Sequence, residues 1–369
     1  MQKKIIALAI AGLASTAAFA QTNVTVYGIA DLSQGSVRAT GTNSAHAGVT
    51  RLDSNSSYIG FKGVEDLGNG LKAVFQFENN VTADTNGGLN GIRDSFVGLA
   101  GGFGTLVGGN LTHPLRAFGA KVELSPGAAG IGTMASVTGT ILGIKTGADD
   151  RAANAVAYVS PSFGGVTVTG AYINGESRAY SAANGLTDQR AYQIAAQYDN
   201  GPLFVGAGYH HALDVGTNGT TLGAGNQANA TVMRLAAAYT LPSATKFTVL
   251  VDKTRAQMNA ITNAADAHRT AFSLGVSQGF GKNTIGLEYG RAGKVTVADS
   301  KVDSSASSVL SLLYSYDLSK RTMIHARVSR LNNQDGINTN FYNNAVANGL
   351  TNGAGTDYTG YLVGLRHAF

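Results

Sequence analysis

The sequence predicts an all-β protein: a sixteen-stranded antiparallel transmembrane β-barrel with short turns at one end and long loops at the other. Three observations predict this fold. Apolar residues alternate with polar or small residues in segments of about ten residues, the pattern of a strand with one lipid-facing side. Short turn-forming links alternate with long polar stretches. Only 13% of the residues are charged, whereas soluble proteins carry about 25%.

The first twenty residues have the organisation of a secretory signal peptide. Lys3 and Lys4 provide a positive start, residues 5–13 are apolar, and Ala18-Phe19-Ala20 is a small-x-small cleavage site. The apolar stretch is too short to cross a bilayer as a helix. We therefore expect residues 1–20 to be cleaved and residues 21–369 to form a single transmembrane barrel domain.

The composition of the remaining chain excludes several classes of protein. Without Lys3 and Lys4, 25 basic residues face 22 acidic ones, and this weak net charge points to no nucleic-acid partner. The absence of cysteine excludes a disulfide framework and a thiolate metal site. No run of about 18 apolar residues follows the signal peptide, which excludes an ordinary helical membrane protein.

Strand-like alternation recurs along the whole chain. Residues 71–78 are typical: Leu71, Ala73, Phe75 and Phe77 alternate with more polar neighbours, and no helical spacing is present. The count of such segments is sixteen, an even number, as bacterial barrels require. The predicted strands are 23–33, 56–66, 70–80, 92–101, 103–110, 152–160, 164–173, 189–199, 202–211, 230–241, 245–255, 268–279, 282–292, 305–317, 320–331 and 357–369.

The connections between these strands distinguish a barrel from a sandwich. Short links rich in Gly, Asn, Asp and Pro, such as residues 65–70, 199–202 and 317–320, have hairpin-turn chemistry. Long polar stretches separate them, and a β-sandwich would not need this short-long alternation. Backbone groups in hydrocarbon must be paired, so the sheet has to close, and sixteen strands enclose a lumen too wide for side chains to fill. The long stretches are 34–55, 81–91, 111–151, 174–188, 212–229, 256–267, 293–304 and 332–356.

Several segments resemble the general diffusion porins of Gram-negative bacteria, especially the β-proteobacterial type. Residues 59–76 resemble the second and third strands of these porins, and residues 363–369 resemble the closing strand. Further similar segments are 97–99 with 103–105, 151–161 and 317–322. The resemblance extends over the mature chain. It implies an outer-membrane homotrimer of sixteen-stranded barrels, each with its third loop folded inward.

The carboxyl terminus carries a second resemblance. Tyr361, Val363, Leu365, His367 and Phe369 share one strand face, and the chain ends on an aromatic residue. A plain amphipathic last strand would show the same alternation. The terminal Phe369 favours a second interpretation, in which this strand resembles the signal that the outer-membrane assembly machinery recognises. That machinery is therefore a predicted partner.

The segment 111–150 is the candidate constriction loop, because loops of this length are usually functional or disordered. In the family that this chain resembles, loop carboxylates oppose basic residues on the barrel wall. On that basis Arg93 and Arg151 are predicted wall residues. Lys72 is a third predicted wall residue, because strand alternation places its side chain on the inner face. Tyr58 and Asn110 occupy positions where the family commonly has arginine. The predicted opposing carboxylates are Glu123, Asp149 and Asp150, and the other loop charges are Arg116, Lys121 and Lys145.

Strand parity also predicts which charges point into the lumen. The inward basic residues outnumber the inward acidic ones, which favours a weak preference for anions, although each charge also fits a solvated lumen with no selective role. The inward basic residues are Lys62, Lys72, Arg234, Arg269, Arg327 and Arg366, and the inward acidic residues are Asp31, Glu78 and Glu288.

These features predict a trimeric, non-enzymatic porin of the bacterial outer membrane, through which small hydrophilic solutes and ions diffuse passively. Outer-membrane lipid and lipopolysaccharide are expected to surround it, and no cofactor or metal is implied. His210-His211 is a poor chelating pair, because adjacent strand residues face opposite sides. One alternative is a substrate-selective channel for a particular organic solute, with Tyr27 and Tyr58 lining its path. Another is a barrel enzyme or adhesin that uses its external loops.

Overall fold

The computed structural model describes residues 23–41, 48–85, 87–141, 144–176, 178–181, 185–188, 190–216, 227–258, 266–342 and 353–369. Sixteen antiparallel strands form one closed barrel, which confirms the predicted fold class. The predicted signal peptide lies outside the described residues, and so does most of its junction with the barrel. Within the described ranges no helix is long and apolar enough to cross a membrane.

The barrel strands follow one another around the wall in chain order. They are β1 (Asn23–Gly41), β2 (Tyr58–Gly68), β3 (Leu71–Thr82), β4 (Gly88–Gly101), β5 (Gly104–Thr112), β6 (Arg151–Val159), β7 (Val166–Ile173), β8 (Ala191–Asn200), β9 (Leu203–Gly216), β10 (Gln227–Thr240), β11 (Thr245–Met258), β12 (Ala267–Phe280), β13 (Asn283–Ala292), β14 (Ser307–Asp317), β15 (Thr322–Asn333) and β16 (Thr356–Ala368).

Closure occurs at β1, which pairs with β2 on one side and with β16 on the other. The last residue completes this seam: Gly28 and Phe369 exchange backbone N–H···O hydrogen bonds of 3.1 Å in both directions. A Cβ atom at Gly28 would lie 2.5 Å from the Phe369 ring, so glycine leaves room for the terminal aromatic side chain. The closed seam leaves no sheet edge unpaired in this part of the wall.

Hairpin chemistry at the short-turn end fits the predicted links. Asn69 and Gly70 join β2 to β3 with φ values of 53° and 77°. Two successive positive φ angles are the requirement of a type I′ turn, whose twist matches that of the flanking strands, and Asn-Gly meets it at low steric cost. The prediction of a short turn at 65–70 therefore has a local cause.

The long-loop end differs from the predicted boundaries. The segment 34–55 was expected to be a loop, but β1 continues to Gly41 and Gly48–Ser54 pairs with its upper half. There the outward residues Ser36, Arg38 and Thr40 are polar while Val37 and Ala39 are buried on the inner face, which is the reverse of the lipid-facing pattern. Further short strand pairs lie within the predicted loops: Arg178–Ser181 with Gly185–Asp188, Thr296–Val297 with Ser300–Lys301, and Thr140–Ile141 with Ile144–Lys145.

Apolar side chains cover the outside of the barrel, and the buried core lies within it. On β16, Tyr361 and Val363 are 59% and 56% exposed, whereas Leu362 between them is 3% exposed. The inward residues of β8–β16 are buried by the long segment between β5 and β6, which we call loop 3 (residues 113–150). The described part of loop 3 (residues 113–141 and 144–150) contains one helix, α1 (Pro114–Gly119), and two 3₁₀ turns, Pro126–Ala128 and Met134–Ser136.

Candidate functional site

Loop 3 begins with a short helix that packs on the inner face of the wall. Pro114 stands at the start of α1, where its missing N–H is not needed. Leu115 and Phe118 are buried against β9. A Cβ atom at Gly206 would lie 2.7 Å from the Phe118 ring, and one at Gly208 would lie 2.7 Å from Leu115. The two wall glycines therefore create the space that α1 occupies.

A buried arginine of β10 fixes both ends of loop 3. Arg234, 1% exposed, donates to the Leu115 backbone oxygen (3.1 Å) and, through both terminal nitrogens, to the carboxylate of Asp149 (2.5 and 2.7 Å). It also donates to Asp252 on β11 (2.7 and 2.6 Å). Burial by itself would raise the pKa of Asp149, but Arg234 outweighs it and holds that pKa below the ordinary value.

Other inward charges hold the middle of the loop through its backbone. Asp252 accepts from the Gly139 N–H (2.9 Å), and Glu288 on β13 accepts from the Leu124 N–H (2.7 Å). Arg327 on β15 donates to the Ile131 oxygen (2.5 Å). Loop 3 is therefore bound along the arc from β8 to β15, and the open space lies between it and β1–β6.

Two histidines lie at the base of loop 3. His113 Nδ1 is 2.5 Å from the Gly147 oxygen, and His210 Nε2 is 2.8 Å from the Thr146 oxygen. Gln193 joins His210 to α1, since its side chain contacts His210 Nδ1 (2.8 Å) and accepts from the Leu115 N–H (3.1 Å). Burial lowers the pKa of His113 below its ordinary value. The two rings thus serve as hydrogen-bonding supports of the loop.

On the wall opposite loop 3, Arg93 lies over one of two tyrosines that meet edge-to-face. The Arg93 guanidinium lies 4.5 Å from the ring centroid of Tyr58 and donates to Glu78 (3.4 Å). Tyr27 donates to the same carboxylate (2.7 Å), and its ring meets Tyr58 edge-on at 6.1 Å. Lys62 lies 4.8 Å from the Tyr27 ring centroid. Tyr58 therefore supports a neighbouring arginine through its ring.

Arg151 occupies the next position on this wall. Its Nε donates to Asp94 (3.2 Å), and Asp94 also accepts from the backbone N–H (2.5 Å) and hydroxyl (2.8 Å) of Thr112. Asn110 donates to the Arg93 backbone oxygen (2.6 Å). The structure therefore brings Arg93, Arg151, Tyr58 and Asn110 together on β2–β6, with Asn110 bonded to the backbone of β4.

A cavity of about 190 Å³ occupies the space between this wall and loop 3. Loop 3 contributes Arg116, which donates to the Asp149 backbone oxygen (2.5 Å). Tyr342, from the segment after β15, shares its single hydroxyl proton between the same oxygen (3.0 Å) and the Asp150 carboxylate (2.5 Å). The charged residues that line the cavity are Arg93, Arg116, Arg151, Arg234, Glu123 and Asp149.

The three predicted loop carboxylates differ in their surroundings. Glu123 lines the cavity and accepts from the Met134 N–H (2.9 Å). Asp149 lines it too, but its carboxylate is bound to Arg234. Asp150 accepts from Tyr342, and its backbone oxygen accepts from the His113 N–H (3.2 Å). Two of the three carboxylates are therefore engaged in holding the loop.

Lys72 is not brought to this cavity. It is the second residue of β3, beside the Asn69-Gly70 turn and opposite Asp66. Glu78, on the same strand face, is six residues farther along, which corresponds to about 20 Å of strand. Parity predicted the face of Lys72, but parity does not report the height of a residue in the barrel.

Sequence reasoning missed several residues that build the site. Tyr342 lies in a predicted external loop, and the sequence pattern gives no indication that Asp94 has a role. Arg234 and Arg327 were predicted to point inward, but both are buried beneath loop 3, at 1% and 3% exposure. The inward parity of these arginines was the available signal, and it did not indicate that loop 3 would cover them.

Comparisons with known proteins agree with this architecture. A family model described as Gram-negative porin matches residues 7–336. Outer membrane porin protein 32 of Delftia acidovorans is 31% identical over 375 residues, and the match covers 100% of both chains. The structure of an anion-selective porin from Comamonas acidovorans has a TM-score of 0.77 and 28% identity, covering 95% of this chain and 100% of that one. A trimer form of OmpT from Vibrio cholerae, at 13% identity, shares the fold with a TM-score of 0.66 and covers 94% of this chain and 99% of that one.

Proposed function

The chain belongs to the Gram-negative porin family, and from this premise we propose that it forms a water-filled outer-membrane channel for small hydrophilic solutes, with a weak preference for anions. A closed barrel of sixteen strands is too wide for its side chains to fill, so passive diffusion needs no moving part. Loop 3, bound to one arc of the wall, reduces the free cross-section. Size and charge at the remaining aperture then determine which solutes pass.

The observation that carries the anion preference is the charge around the aperture. Of the charged groups that line the cavity, Arg234 and Asp149 are paired with each other, which leaves Arg93, Arg116 and Arg151 facing Glu123, an excess of two positive charges within the lining itself. Arg116 donates to a neutral backbone oxygen, so this contact leaves its charge uncompensated. Rings of positive charge favour anions in narrow pores.

The preference is expected to be weak for a structural reason. Arg93 contacts Glu78 (3.4 Å) and Arg151 contacts Asp94 (3.2 Å), so both wall arginines carry partly compensated charges. Salt screens the remaining field over about 10 Å at 0.1 M ionic strength. The anion-selective porin from Comamonas acidovorans, 28% identical to this chain, supports the sign of the preference.

The proposed constriction consists of Arg93, Arg151 and Tyr58 on the wall, Arg116 and Glu123 on loop 3, and Tyr342. Asn110 positions the Arg93 backbone, while Asp149 and Asp150 hold the loop. Lys72 is left out because it lies beside a turn far from the cavity.

We further propose that the protein is a homotrimer in the outer membrane, surrounded by lipid and lipopolysaccharide. The trimer form of the OmpT fold neighbour supports this assembly. The last strand, which ends at Phe369, is the proposed recognition element for the assembly machinery. Its outward face is apolar, with Tyr361, Val363 and Leu365 all more than half exposed.

A second candidate is a channel selective for one organic solute class. The row of Lys62, Tyr27, Tyr58 and Arg93 favours it, because cations placed beside aromatic rings can contact both the charge and the ring of a planar organic anion. Saturable flux or current block by such a solute would identify this function. Flux that stays proportional to concentration would favour the general channel.

The test is single-channel conductance in a planar bilayer, with the reversal potential measured under a KCl gradient. The wild-type protein should give large, non-saturating steps that close in threes, and a reversal potential of the sign of an anion-preferring pore. Replacing Arg93 and Arg151 by glutamine removes the positive excess at the aperture, so the reversal potential should move toward zero or change sign.

The matched control is the double variant Lys320→Gln, Arg321→Gln, which makes the same charge change at an exposed turn. It should keep the wild-type reversal potential. Small saturable steps in the wild type, or equal shifts in both double variants, would contradict the proposed constriction.

A further inference from the structure

We propose that the inner wall of the barrel, on the short-turn side of the aperture, carries a binding subsite for carboxylates with an apolar body, such as branched or cyclic aliphatic acids. The proposal rests on the channel function given above and names one class of solute for one part of the lumen. The subsite consists of an apolar floor on the inner face of β3–β6 and a cation at its edge, Lys62.

The floor is a row of inward positions that carries no polar side chain. The strand register pairs these positions directly with one another across six neighbouring strands, from β2 to β7. Their chain neighbours Val97, Leu106 and Tyr158 are exposed on the outside of the barrel, so the row itself faces the lumen. Together with Phe96, one inward position closer to the aperture, we call this row the inner apolar band. The row consists of Val64, Val74, Gly98, Val107, Ala157 and Ala171.

The inner apolar band is packed from below but open to the lumen. Phe96 and Val107 pack against the buried alanines Ala157 and Ala171, and both remain partly exposed. A Cβ atom at Gly98 would lie 2.8 Å from Val107 Cγ1, so this glycine gives the Val107 side chain room along the wall. Loop 3 is bound to the opposite arc and leaves this face uncovered. Contiguous apolar surface in contact with water is unfavourable, and such surface commonly marks a ligand-binding site.

Lys62 lies at the edge of the inner apolar band. It pairs with Gln76, and Gln76 pairs with Phe96, so the Lys62 and Phe96 backbones are two strand spacings, about 10 Å, apart. The Lys62 ammonium lies 4.8 Å from the ring centroid of Tyr27. Within the part of the chain that the structure describes, Lys62 has no side-chain hydrogen bond or ion pair. A solute whose apolar body rests on Phe96 and Val107 can therefore place its carboxylate at Lys62.

The acidic groups on either side of the inner apolar band already have basic neighbours. Toward the aperture, Glu78 accepts from Arg93 (3.4 Å). Toward the short turns, Asp66 is paired in register with Lys72, so two opposite charges adjoin there. A solute carboxylate at Lys62 thus meets a cation whose charge these groups do not balance.

The chemistry of the subsite determines the class of solute. A small inorganic anion gains nothing from the apolar floor, and a neutral apolar solute gains nothing from Lys62. Apart from Phe96 the floor is aliphatic, so a non-planar body fits it as well as a planar ring. The subsite is also separate from the tyrosines of the aperture. Tyr58 pairs with Asn80, and Val74 is six residues farther along the same strand, which corresponds to about 20 Å.

The experiment measures how cyclohexanecarboxylate blocks the KCl current through the full-length protein in a planar bilayer. The comparison solutes are acetate, which has the charge but little apolar surface, and cyclohexanecarboxamide, which has the apolar ring but no charge. Cyclohexanecarboxylate should block the current in a saturable manner, and both comparison solutes should block it much more weakly. Its ring is not planar, so this block is distinct from stacking of a planar anion on the tyrosines.

Three variants test the residues of the subsite. Phe96→Gln removes the largest apolar side chain of the floor, so the half-blocking concentration should rise about tenfold. Val107→Thr keeps the side-chain shape and replaces a methyl group by a hydroxyl, and it should raise that concentration about threefold even where Phe96→Gln does not fold. Lys62→Gln should raise it about threefold for cyclohexanecarboxylate and leave it unchanged for the carboxamide. The matched control, Thr167→Gln, introduces the same side chain as Phe96→Gln on the inner face of β7, outside the band, and should resemble the wild type.

Three outcomes would overturn the proposal: equal block by acetate, equal block by the carboxamide, or equal loss of block in Phe96→Gln and Thr167→Gln. Unchanged block in both Phe96→Gln and Val107→Thr would also overturn it, since the floor would then contribute nothing. If the wild-type protein conducts KCl but cyclohexanecarboxylate does not block it, the subsite is wrong and the channel function stands. If the wild-type protein does not conduct at all, the proposed function itself is wrong.

Discussion

The buried arginine of β10 offers a direct test of how loop 3 is held. Arg234 is 1% exposed and bonds to Asp149, Asp252 and the Leu115 backbone oxygen. Replacing it by methionine keeps much of the volume but leaves two buried carboxylates without their cation. Removing one partner of a buried ion pair costs about 3–5 kcal/mol. Because the released loop can hydrate both carboxylates, the population of the loop-displaced state should rise by about 10²- to 10⁴-fold.

The assay is single-channel recording of Arg234→Met beside the wild type. We expect larger mean conductance and strongly increased current noise, because loop 3 would leave its wall site repeatedly. The barrel itself should still form, since its backbone hydrogen bonds are untouched. Arg321→Met, an exposed turn variant, serves as the control and should resemble the wild type.

A second variant tests the electrostatic reason for the effect. If the unpaired carboxylates cause the release, then Arg234→Met combined with Asp149→Asn and Asp252→Asn should recover most of the wild-type behaviour, because all three charges of this cluster are then neutral. Wild-type conductance and noise in Arg234→Met alone would refute the reasoning. Failure of the triple variant to recover would show that the lost contact with Leu115 dominates.

Three further predictions concern other parts of the molecule. Tyr342→Phe loses hydrogen bonds to Asp149 and Asp150, worth about 1.5–3 kcal/mol where the acceptor is charged, so current noise should increase without a change in reversal potential; unchanged noise would contradict the contact. Leu235→Arg places a charge on the lipid-facing surface (62% exposed) and should lower barrel stability by about 2–4 kcal/mol, seen as a lower unfolding temperature on heat-modifiability gels. The pKa of His113 is lowered in the bound loop, so the released loop takes up more protons below pH 6.5, and loop attachment should be complete above that pH and weaken on acidification. Current noise should therefore increase between pH 7.5 and pH 5, and this increase should be smaller in His113→Gln. Noise that does not depend on pH in the wild type would contradict this sign.

The sequence by itself determined the barrel, because the causes of the barrel are local. Alternation along each strand reports which side chains face lipid, and turn residues such as Asn69-Gly70 report where the chain reverses. These signals repeat sixteen times, so small errors at single boundaries do not change the count. The segment 34–55 shows the limit, since in residues 36–40 the outward side chains are polar and the inward ones apolar, the reverse of the lipid-facing pattern, and the sequence therefore predicts a loop where β1 continues.

The composition of the site depended on the tertiary structure. Strand parity predicts the inner face for Arg234, and the family resemblance predicts the pore wall for Arg93; in the structure Arg93 lines the aperture on the wall opposite loop 3, whereas Arg234 is held between Asp149 and Asp252 beneath that loop. Lys72 also follows that parity but lies beside a turn. Parity assigns a residue to a face of the sheet. The height of a residue in the barrel, and whether loop 3 covers it, are set by contacts between residues far apart in sequence, such as Arg234 with Asp149. Only the folded chain brings these residues together.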